Sequence, residues 1–411
     1  MKFSDHDREI LRRLAGEVAE FSFSEDNDIK REMWRKHNAL QQERPLVMMY
    51  TEEGMWNEVF APDKYEAESD LARKHERELR ELIHWHTTGD DRPFEPVYFL
   101  GLVTHNSGWG VSRHTIGSGM DTGSLHFDPV IVEGSDIDKI EMPQIKVDRE
   151  ATADEREALE DAFGDLLPIE ERGYFVPWFA PIDMFIEWRG IENLFMDMMM
   201  QPDWVHAVLE KLTRGYLGML DQYEAQDALW CSNRSHFVGS GGCGYTDELP
   251  QPDFDGHVRP MDMWGQATAQ IFSEVSAEMH EEFSLKYDIQ WQSRFGLNCY
   301  GCCEPLHFKM DILRQIPRLR RISMSPKADW AAGAEKMGRD FIFSAKPNPA
   351  VFAVDKWDTD KVRADLRRML ERTKGCNVEL VMKDTQTCRN EPHRIMDWTR
   401  IAVEECKRAA E

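Results

Sequence analysis

The second half of the chain repeats one unit, an apolar strand followed by an amphipathic helix. The candidate strands are residues 228–237, 289–300, 320–325, 340–346 and 377–383, and the candidate helices are 306–316, 330–337, 359–374 and 392–408. The third helix is the clearest, because Val362, Leu366 and Leu370 fall on one face. Parallel strands joined by helices form an α/β layer fold. The number of units favours a (β/α)8 barrel over an open sheet.

The first half follows this pattern less clearly. Two strands are predicted at residues 45–51 and 96–103, each opened by a proline, and residues 1–42 are predicted to form a helical N-terminal extension. Residues 104–127 are rich in Gly, Ser and His and too long for an ordinary connection, so we expect a lid-like insertion there. The predicted organisation is the extension followed by a barrel over residues 43–411.

Composition narrows the class of protein. With 411 residues, 41% of them hydrophobic, the chain can bury a large core. The formal net charge of -25 argues against nucleic-acid binding, because affinity for phosphates depends on basic patches. No apolar stretch approaches the roughly 20 residues that span a bilayer, and the charged N-terminus is unlike a signal peptide. We therefore expect a cytoplasmic protein that binds neither nucleic acid nor membrane.

Three of the eight cysteines lie within residues 298–305, whose sequence is NCYGCCEP. The segment joins a predicted strand to a predicted helix, where backbone N–H groups and the helix dipole favour a thiolate. Adjacent thiols beside a carboxylate are poor core material. Cys302, Cys303 and Glu304 are therefore predicted to be metal ligands, and a disulfide framework is not expected.

The residues at the ends of the predicted strands form a wider set of site candidates. In a (β/α)8 barrel the loops after the strands converge on one face, where active sites lie. The candidates are Asn233, His236, Cys299, Cys302, Cys303, Glu304, Ser323, Ser325, Lys346, Asn348, Lys383, Asp384 and Cys388. Two thiols from separate strand ends, such as Cys302 and Cys388, would form an open zinc site with a carboxylate or imidazole. Cys388 could equally be a buried core thiol.

Five short motifs accompany the Cys-rich segment. They are WRG at 188–190, PDWVH at 202–206, RISMSP at 321–326, KPNP at 346–349 and TCRNEP at 387–392. With these motifs the chain resembles, from about Glu32 onward, the uroporphyrinogen decarboxylase superfamily, and in particular its branch of cobalamin-dependent methyltransferases. That branch includes methylcobamide:coenzyme M methyltransferases and corrinoid-linked O-demethylase methyltransferases. The resemblance implies a (β/α)8 barrel, in agreement with the strand and helix pattern.

The resemblance also implies a ligand set. The methylcobamide:coenzyme M methyltransferases bind zinc at a His-x-Cys strand end and at a second Cys near the C-terminus, which would correspond to Cys302 and Cys388 here. Tyr300 stands at the histidine position, so a further ligand is expected from Glu304 or Cys303, with His236 in reserve. Catalytic roles are expected for Glu304, His236, Asn233 and Tyr300, and cofactor contacts for Ser323, Ser325, Lys346 and Asn348.

The resulting functional expectation is a zinc-dependent methyltransferase. It would move a methyl group between a small molecule, such as a methoxylated aromatic compound, and a corrinoid carried on a partner protein, with zinc as a Lewis acid. Two alternatives stay open: a metal-independent tetrapyrrole decarboxylase and a non-catalytic corrinoid-binding protein. The resemblance to the decarboxylases would imply an arginine-rich loop after the first strand. This chain has Glu52 and Glu53 there instead, and their acidic side chains would repel a substrate with many carboxylates.

Overall fold

The fold is described for residues 2–117 and 125–411 of a computed structural model. Its α-helices are α1 Asp5–Ser22, α2 Asp26–Asn38, α3 Glu53–Val59, α4 Asp70–Thr88, α5 Arg149–Phe163, α6 Pro181–Arg189, α7 Ile191–Met200, α8 Pro202–Ala225, α9 Ala277–His280, α10 Lys286–Gln292, α11 Met310–Leu313, α12 Trp330–Met337, α13 Thr359–Arg372 and α14 His393–Arg408. Its strands are β1 Leu46–Met49, β2 Tyr98–Gly101, β3 Thr104–Asn106, β4 His114–Gly117, β5 Leu125–Asp128, β6 Ile145–Val147, β7 Ile169–Arg172, β8 Trp178–Phe179, β9 Phe237–Val238, β10 Gly242–Cys243, β11 Trp264–Ala267, β12 Leu297–Tyr300, β13 Leu319–Met324, β14 Ile342–Ala345 and β15 Asn377–Met382. Within these described ranges, none of the helices combines the length and the apolar character needed to cross a membrane.

A seven-stranded sheet forms the centre of the fold, and all its neighbouring strands are parallel. The strand order is β1-β15-β14-β13-β12-β11-β8, so the strands follow chain order across the sheet while β1 pairs with β15. The remaining strands pair in twos, β2 with β7 in parallel and β3 with β6, β4 with β5 and β9 with β10 antiparallel. Parallel strands separated by helices confirm the predicted α/β class.

The two faces of β15 have different roles. Val378, Leu380 and Met382 join the main apolar core, whereas Glu379 and Val381 point to the opposite face, as the two-residue period of a strand requires. On that opposite face Val381 belongs to a separate small cluster with residues of β1 and β10. The polar side chains that matter for function lie on this second face and beyond its carboxyl edge.

The helical N-terminal extension packs against other helices and also reaches the interior of the fold. The buried residues Leu11 and Leu14 of α1 share a core with Leu79 of α4 and Phe163 of α5. From α2, Asn38 Nδ2 donates to the carbonyl oxygen of Cys243 at 2.9 Å. The N-terminal extension therefore contributes buried polar groups to the centre of the molecule as well as apolar packing against α4 and α5.

Most predicted elements of the second half are confirmed within a few residues, but the predicted strand 289–300 was wrong in its first half. Only Leu297–Tyr300 is a strand, and residues 289–292 belong to helix α10 instead. Tyr287 and Trp291 lie four residues apart and are both buried, which is the spacing of one helix face. Likewise, the predicted strand 228–237 is reduced to a bridge at Leu229 and the start of β9.

The predicted lid-like insertion, 104–127, contains short strands. β3 pairs with β6, and β4 pairs with β5. Residues 118–124 of the insertion lie outside the described residues. Its role as a lid stays a prediction.

Candidate functional site

A thiol, an ammonium group and a carboxylate meet beyond the carboxyl ends of β12 and β15. Lys383 Nζ lies 3.2 Å from Cys302 Sγ, and Ser240 Oγ lies 3.5 Å from the same sulfur. Cys303 Sγ is 3.6 Å from Cys302 Sγ and 3.1 Å from Asp384 Oδ2. We refer to these five residues as the thiol-ammonium cluster.

The local backbone explains how Cys302 reaches this position. β12 ends at Tyr300, and Gly301 follows with a φ of 85°, a left-handed conformation that favours glycine. A Cβ atom at Gly301 would lie 2.4 Å from a side-chain carbon of Leu306, so a larger residue would also require that side chain to move. Ser323 Oγ then donates to the carbonyl oxygen of Cys302 at 2.6 Å. The turn and this hydrogen bond fix the thiol above the end of the sheet.

The surrounding groups favour a thiolate at Cys302. The hydrogen bond from the Cys303 thiol lowers the pKa of Cys302, burial opposes this effect, and the Lys383 ammonium lowers the pKa further. The same hydrogen bond, together with burial, raises the pKa of Cys303. Burial alone would lower the pKa of Lys383, but the neighbouring Cys302 thiolate and Asp384 raise it overall. These directions favour a Cys302 thiolate beside the Lys383 ammonium.

Glu304 is buried and holds the loop that carries Cys302. Its Oε1 accepts hydrogen bonds from Ala269 N at 3.0 Å and Thr268 Oγ1 at 2.5 Å, and its Oε2 accepts one from Cys302 N at 2.5 Å. A carboxylate with three donors of this kind is a strong local clamp. As placed, Glu304 acts on the site by positioning Cys302, and its predicted role as a metal ligand or catalytic group stays a prediction.

Cys388 has different neighbours from Cys302. Its backbone N–H donates to Glu58 Oε2 at 2.8 Å, and its side chain belongs to the main apolar core. Burial and the Glu58 carboxylate raise the pKa of the Cys388 thiol to about 11. Across residues 2–117 and 125–411, no three or more His, Cys, Asp and Glu side chains are arranged so that they could hold a metal ion. The structure brings Cys302 and Cys303 together but gives Glu304 and Cys388 other partners.

His236 lies among aromatic rings and one guanidinium group. Arg172 Nη1 is 2.8 Å from His236 Nε2. The imidazole centroid lies 4.4 Å from the Trp230 ring, 4.6 Å from Phe175 and 5.0 Å from Phe99. We refer to these five residues as the arginine-aromatic cluster. Burial and the two nearby arginines, Arg172 and Arg234, keep the pKa of His236 well below its usual value, so the ring is neutral.

Two other predicted catalytic residues have structural partners. Tyr300 lies in the main core, with its hydroxyl 2.5 Å from His280 Nε2 and 2.9 Å from Asp288 Oδ2. Asn233 Nδ2 donates to the carbonyl oxygen of Leu249 at 2.8 Å and so supports a loop. Neither contact includes a residue of the thiol-ammonium cluster.

The four residues predicted to contact a cofactor have different neighbours in the structure. Ser323 binds the backbone of Cys302, and Lys346 Nζ lies 2.6 Å from Ser344 Oγ, where burial lowers its pKa to about 8. Ser325 Oγ instead accepts from the N–H of Lys327 at 3.1 Å. Asn348 lines a cavity of about 500 Å³ beside α13. The other residues around that cavity are Pro347, Ala350, Val351, Val354, Lys356, Trp357, Asp358, Lys361, Val362, Asp365, Leu366, Met369, Met382 and Trp398.

Sequence reasoning missed two polar residues near Cys302. Ser240 belongs to a loop whose glycines at 239, 241 and 242 pack tightly against inward-facing side chains, so a glycine-rich run was its only signal. Asp183 lies at the start of α6, just after β8, and accepts hydrogen bonds from the N–H groups of Gln270 and Ile271, both at 2.9 Å. Burial raises the pKa of Asp183 to about 7, with Glu304 and Cys302 also raising it.

Fold and site together define an α/β protein whose parallel sheet carries a thiolate-ammonium pair at its carboxyl edge. No protein-family model matches the chain, and no curated protein matches it. Among solved structures, the chain is similar in fold to a methyltransferase from Methanosarcina mazei, with a TM-score of 0.50 and 10% sequence identity. The similarity covers 91% of this chain and 98% of that one. At this identity the likeness establishes the shared fold.

Proposed function

We propose that this chain is a methyltransferase that moves a methyl group between a small molecule and a corrinoid carried on a separate protein. The observation that carries the proposal is the ion pair between Lys383 and Cys302, 3.2 Å apart at the edge of the sheet where α/β sites lie. The fold shared with a methyltransferase supports the same reaction class.

A closed (β/α)8 barrel is part of the proposal. The strands of the central sheet follow chain order, and β1 pairs with β15, the last strand. Pairing of the first strand with the last is what closure of a sheet into a barrel requires. In such a barrel the thiol-ammonium cluster would lie at the catalytic mouth.

A residue of this chain can stabilise the negative charge that methyl transfer creates. Removal of a methyl group from an ether leaves negative charge on the oxygen. The Lys383 ammonium can stabilise that charge by donating a hydrogen bond. A reduced corrinoid, when bound, supplies the nucleophile that receives the methyl group.

Zinc is a separate part of the prediction. The donors as placed do not fit the four-ligand set of Cys302, Cys303, Glu304 and Cys388, because Glu304 accepts three hydrogen bonds and Cys388 adjoins Glu58. No step is therefore assigned to a metal. Elemental analysis of the purified protein decides this part of the prediction.

The decisive experiment follows the visible spectrum of free cob(I)alamin during incubation with the protein and a panel of methoxylated aromatic donors. We expect protein-dependent consumption of cob(I)alamin, lost in Lys383→Met and kept in Lys374→Met, an exposed lysine after α13. Absence of methyl transfer with every donor would sink the proposal. Full activity of zinc-free protein would show that the reaction does not need zinc, and the proposed methyl transfer would stand. Turnover of a porphyrinogen would favour the decarboxylase alternative instead.

A further inference from the structure

Arg172 and His236 carry two buried N–H groups without a hydrogen-bond partner. Arg172 Nη1 lies 2.8 Å from His236 Nε2. A guanidinium group only donates, so Nε2 of the neutral ring accepts and the ring proton lies on Nδ1. Among the residues that the structure describes, both His236 Nδ1 and Arg172 Nε lack a partner. The two N–H groups therefore need an acceptor that the described chain does not provide.

The two arginines near His236 differ in their charge partners. Arg234 is paired with Glu170 and lies 3.8 Å from a carboxylate oxygen of Glu95. Arg172, by contrast, has His236 and the face of Phe175, 4.2 Å from its guanidinium carbon, as its near neighbours. Within residues 2–117 and 125–411, Arg172 has no carboxylate at ion-pair distance. Glu78 acts on Arg172 only at longer range, so the guanidinium has a donor face open to an anion.

The walls around this charge are flat and apolar. Phe99, Phe175 and Trp230 surround the His236 ring, with centroid distances of 4.4 to 5.0 Å. These three aromatic side chains are only partly buried, whereas His236 is 7% exposed. Partly exposed aromatic rings favour a planar ligand, which can stack on them or meet them edge to face.

A short segment of chain joins the arginine-aromatic cluster to the thiol-ammonium cluster. Arg172 is the last residue of β7, directly opposite Gly101 at the end of β2. His236 precedes Ser240 by four residues, and Ser240 Oγ contacts both Cys302 and Lys383. Four residues span at most about 14 Å even when extended, which limits the separation of the two clusters along this segment.

We propose that Arg172, oriented by its hydrogen bond to His236, forms a subsite for the carboxylate of a planar organic ligand, and that this carboxylate anchors the small molecule at the site. A carboxylate is an acceptor-only group whose two oxygens match the N–H groups of an arginine fork, and Nε of Arg172 is the fork atom that lacks a partner. The assignment of this ligand as the methyl-bearing substrate rests on the proposed function. The binding itself does not.

The test compares two ligands of the same shape and different charge, 4-methoxybenzoate and 4-methoxybenzamide. Their binding to the full chain is measured by isothermal titration calorimetry, with Arg172→Gln as the variant and Arg234→Gln as the matched control. We expect the acid to bind at least tenfold more tightly than the amide in the unmodified protein and in Arg234→Gln. In Arg172→Gln this preference should disappear. His236→Asn should reduce the preference too, and it decides the matter if Arg172→Gln does not fold.

Several outcomes would overturn the subsite. They are equal binding of acid and amide to the unmodified protein, no binding of either, or a preference that survives in both Arg172→Gln and His236→Asn. The test is separable from that of the proposed function. Arginine-dependent binding of the acid without any transfer to cob(I)alamin would keep the subsite and sink the methyltransferase, whereas transfer from neutral ethers with no acid preference would do the reverse.

Discussion

Two charged groups lie along the same side of β15 and differ in how fully they are paired. In the inner group, Glu379 lies 3.0 Å from Arg321 Nε, 3.2 Å from His37 Nε2 and 2.6 Å from Ser344 Oγ. In the outer group, four residues further on, the Lys383 ammonium faces the thiol of Cys302. The inner group pairs a hard carboxylate with fixed donors, while the outer group leaves a polarisable thiolate beside a single cation.

The environments explain this difference. Glu379, Arg321 and His37 are each at most 1% exposed. Burial alone would raise the pKa of Glu379, but Arg321 and His37 hold it well below its usual range, so the carboxylate is charged at neutral pH. In the outer group, Cys303 is only partly buried and the side chain of Asp384 is 47% exposed. One strand thus carries a closed structural network inside and, at its edge, a group in which Cys302 is 4% exposed while Cys303 and Asp384 are partly exposed.

The largest effect is expected from breaking the inner network. Glu379→Gln leaves the buried Arg321 without its counter-charge, so we expect a loss of about 3–5 kcal/mol in the free energy of unfolding, measured by urea denaturation at pH 7. Glu404→Gln is the control, because Glu404 pairs with Arg363 at 2.7 Å with 44% of its side chain exposed. That change should cost no more than about 1 kcal/mol. Similar losses in both variants would contradict the closed network.

The same network sets a pH dependence. The pKa of Glu379 is depressed in the folded state, so its contribution to stability is fully present above the unfolded value of about 4.3 and is lost as pH falls through the lower folded value. Stability of the unmodified protein should therefore fall more steeply below about pH 4 than that of Glu379→Gln. Parallel acid-unfolding curves would show that the carboxylate is not held by Arg321.

A smaller loss is expected when the hydrogen bonds that Glu304 makes to the Cys302 loop and to Thr268 and Ala269 are broken. Glu304→Gln turns an amide NH₂ toward donors at Ala269, Thr268 or Cys302, leaving at least one buried N–H or hydroxyl unpaired. We expect a loss of about 1–3 kcal/mol in the free energy of unfolding. Glu335→Gln, at an exposed position of α12, is the matched control.

This variant also separates the two roles of Glu304. If Glu304 only positions Cys302, the zinc content of the variant equals that of the unmodified protein, whatever that content is. A specific loss of zinc from Glu304→Gln, absent in Glu335→Gln, would instead favour the ligand role predicted from the sequence.

Local patterns made much of the fold predictable. α12 spans the predicted residues 330–337, and β15 ends one residue before the predicted boundary. The run 289–300 was misassigned because an apolar segment does not by itself distinguish strand from helix; Tyr287 and Trp291 bury one helix face against the core. The site was predictable where its residues follow strands, as Cys302 and Lys383 do.

The remaining features of the site depend on contacts between distant parts of the chain. Glu58 adjoins Cys388 across 330 positions, and Ser240 reaches Cys302 across 62. The partner of Arg172, His236, is 64 residues away. No local period or capping rule encodes such pairs, because they form only when the strands have taken their places in the sheet.

The smallest of these effects, and the most direct measure of the outer group, is the reactivity of Cys302. In chelator-treated protein, Lys383→Met removes the ammonium that favours the thiolate, so the pKa of Cys302 should rise. A rise of one unit corresponds to about 1.4 kcal/mol, or a tenfold lower thiolate fraction at a pH below both values. The rate of iodoacetamide labelling should fall accordingly. Mass spectrometry locates the label on Cys302 rather than Cys303, and Lys374→Met serves as the control.

The labelling profile also tests whether the outer group differs from the inner one in kind. A thiolate held by one cation should lose reactivity gradually as pH falls through its lowered pKa, and Lys383→Met should move that midpoint upward. An unmoved midpoint would mean that the Cys303 hydrogen bond, and not Lys383, sets the thiolate. In that case Cys303→Ala should produce the upward shift instead, and the outer group would be a thiol pair rather than an ion pair.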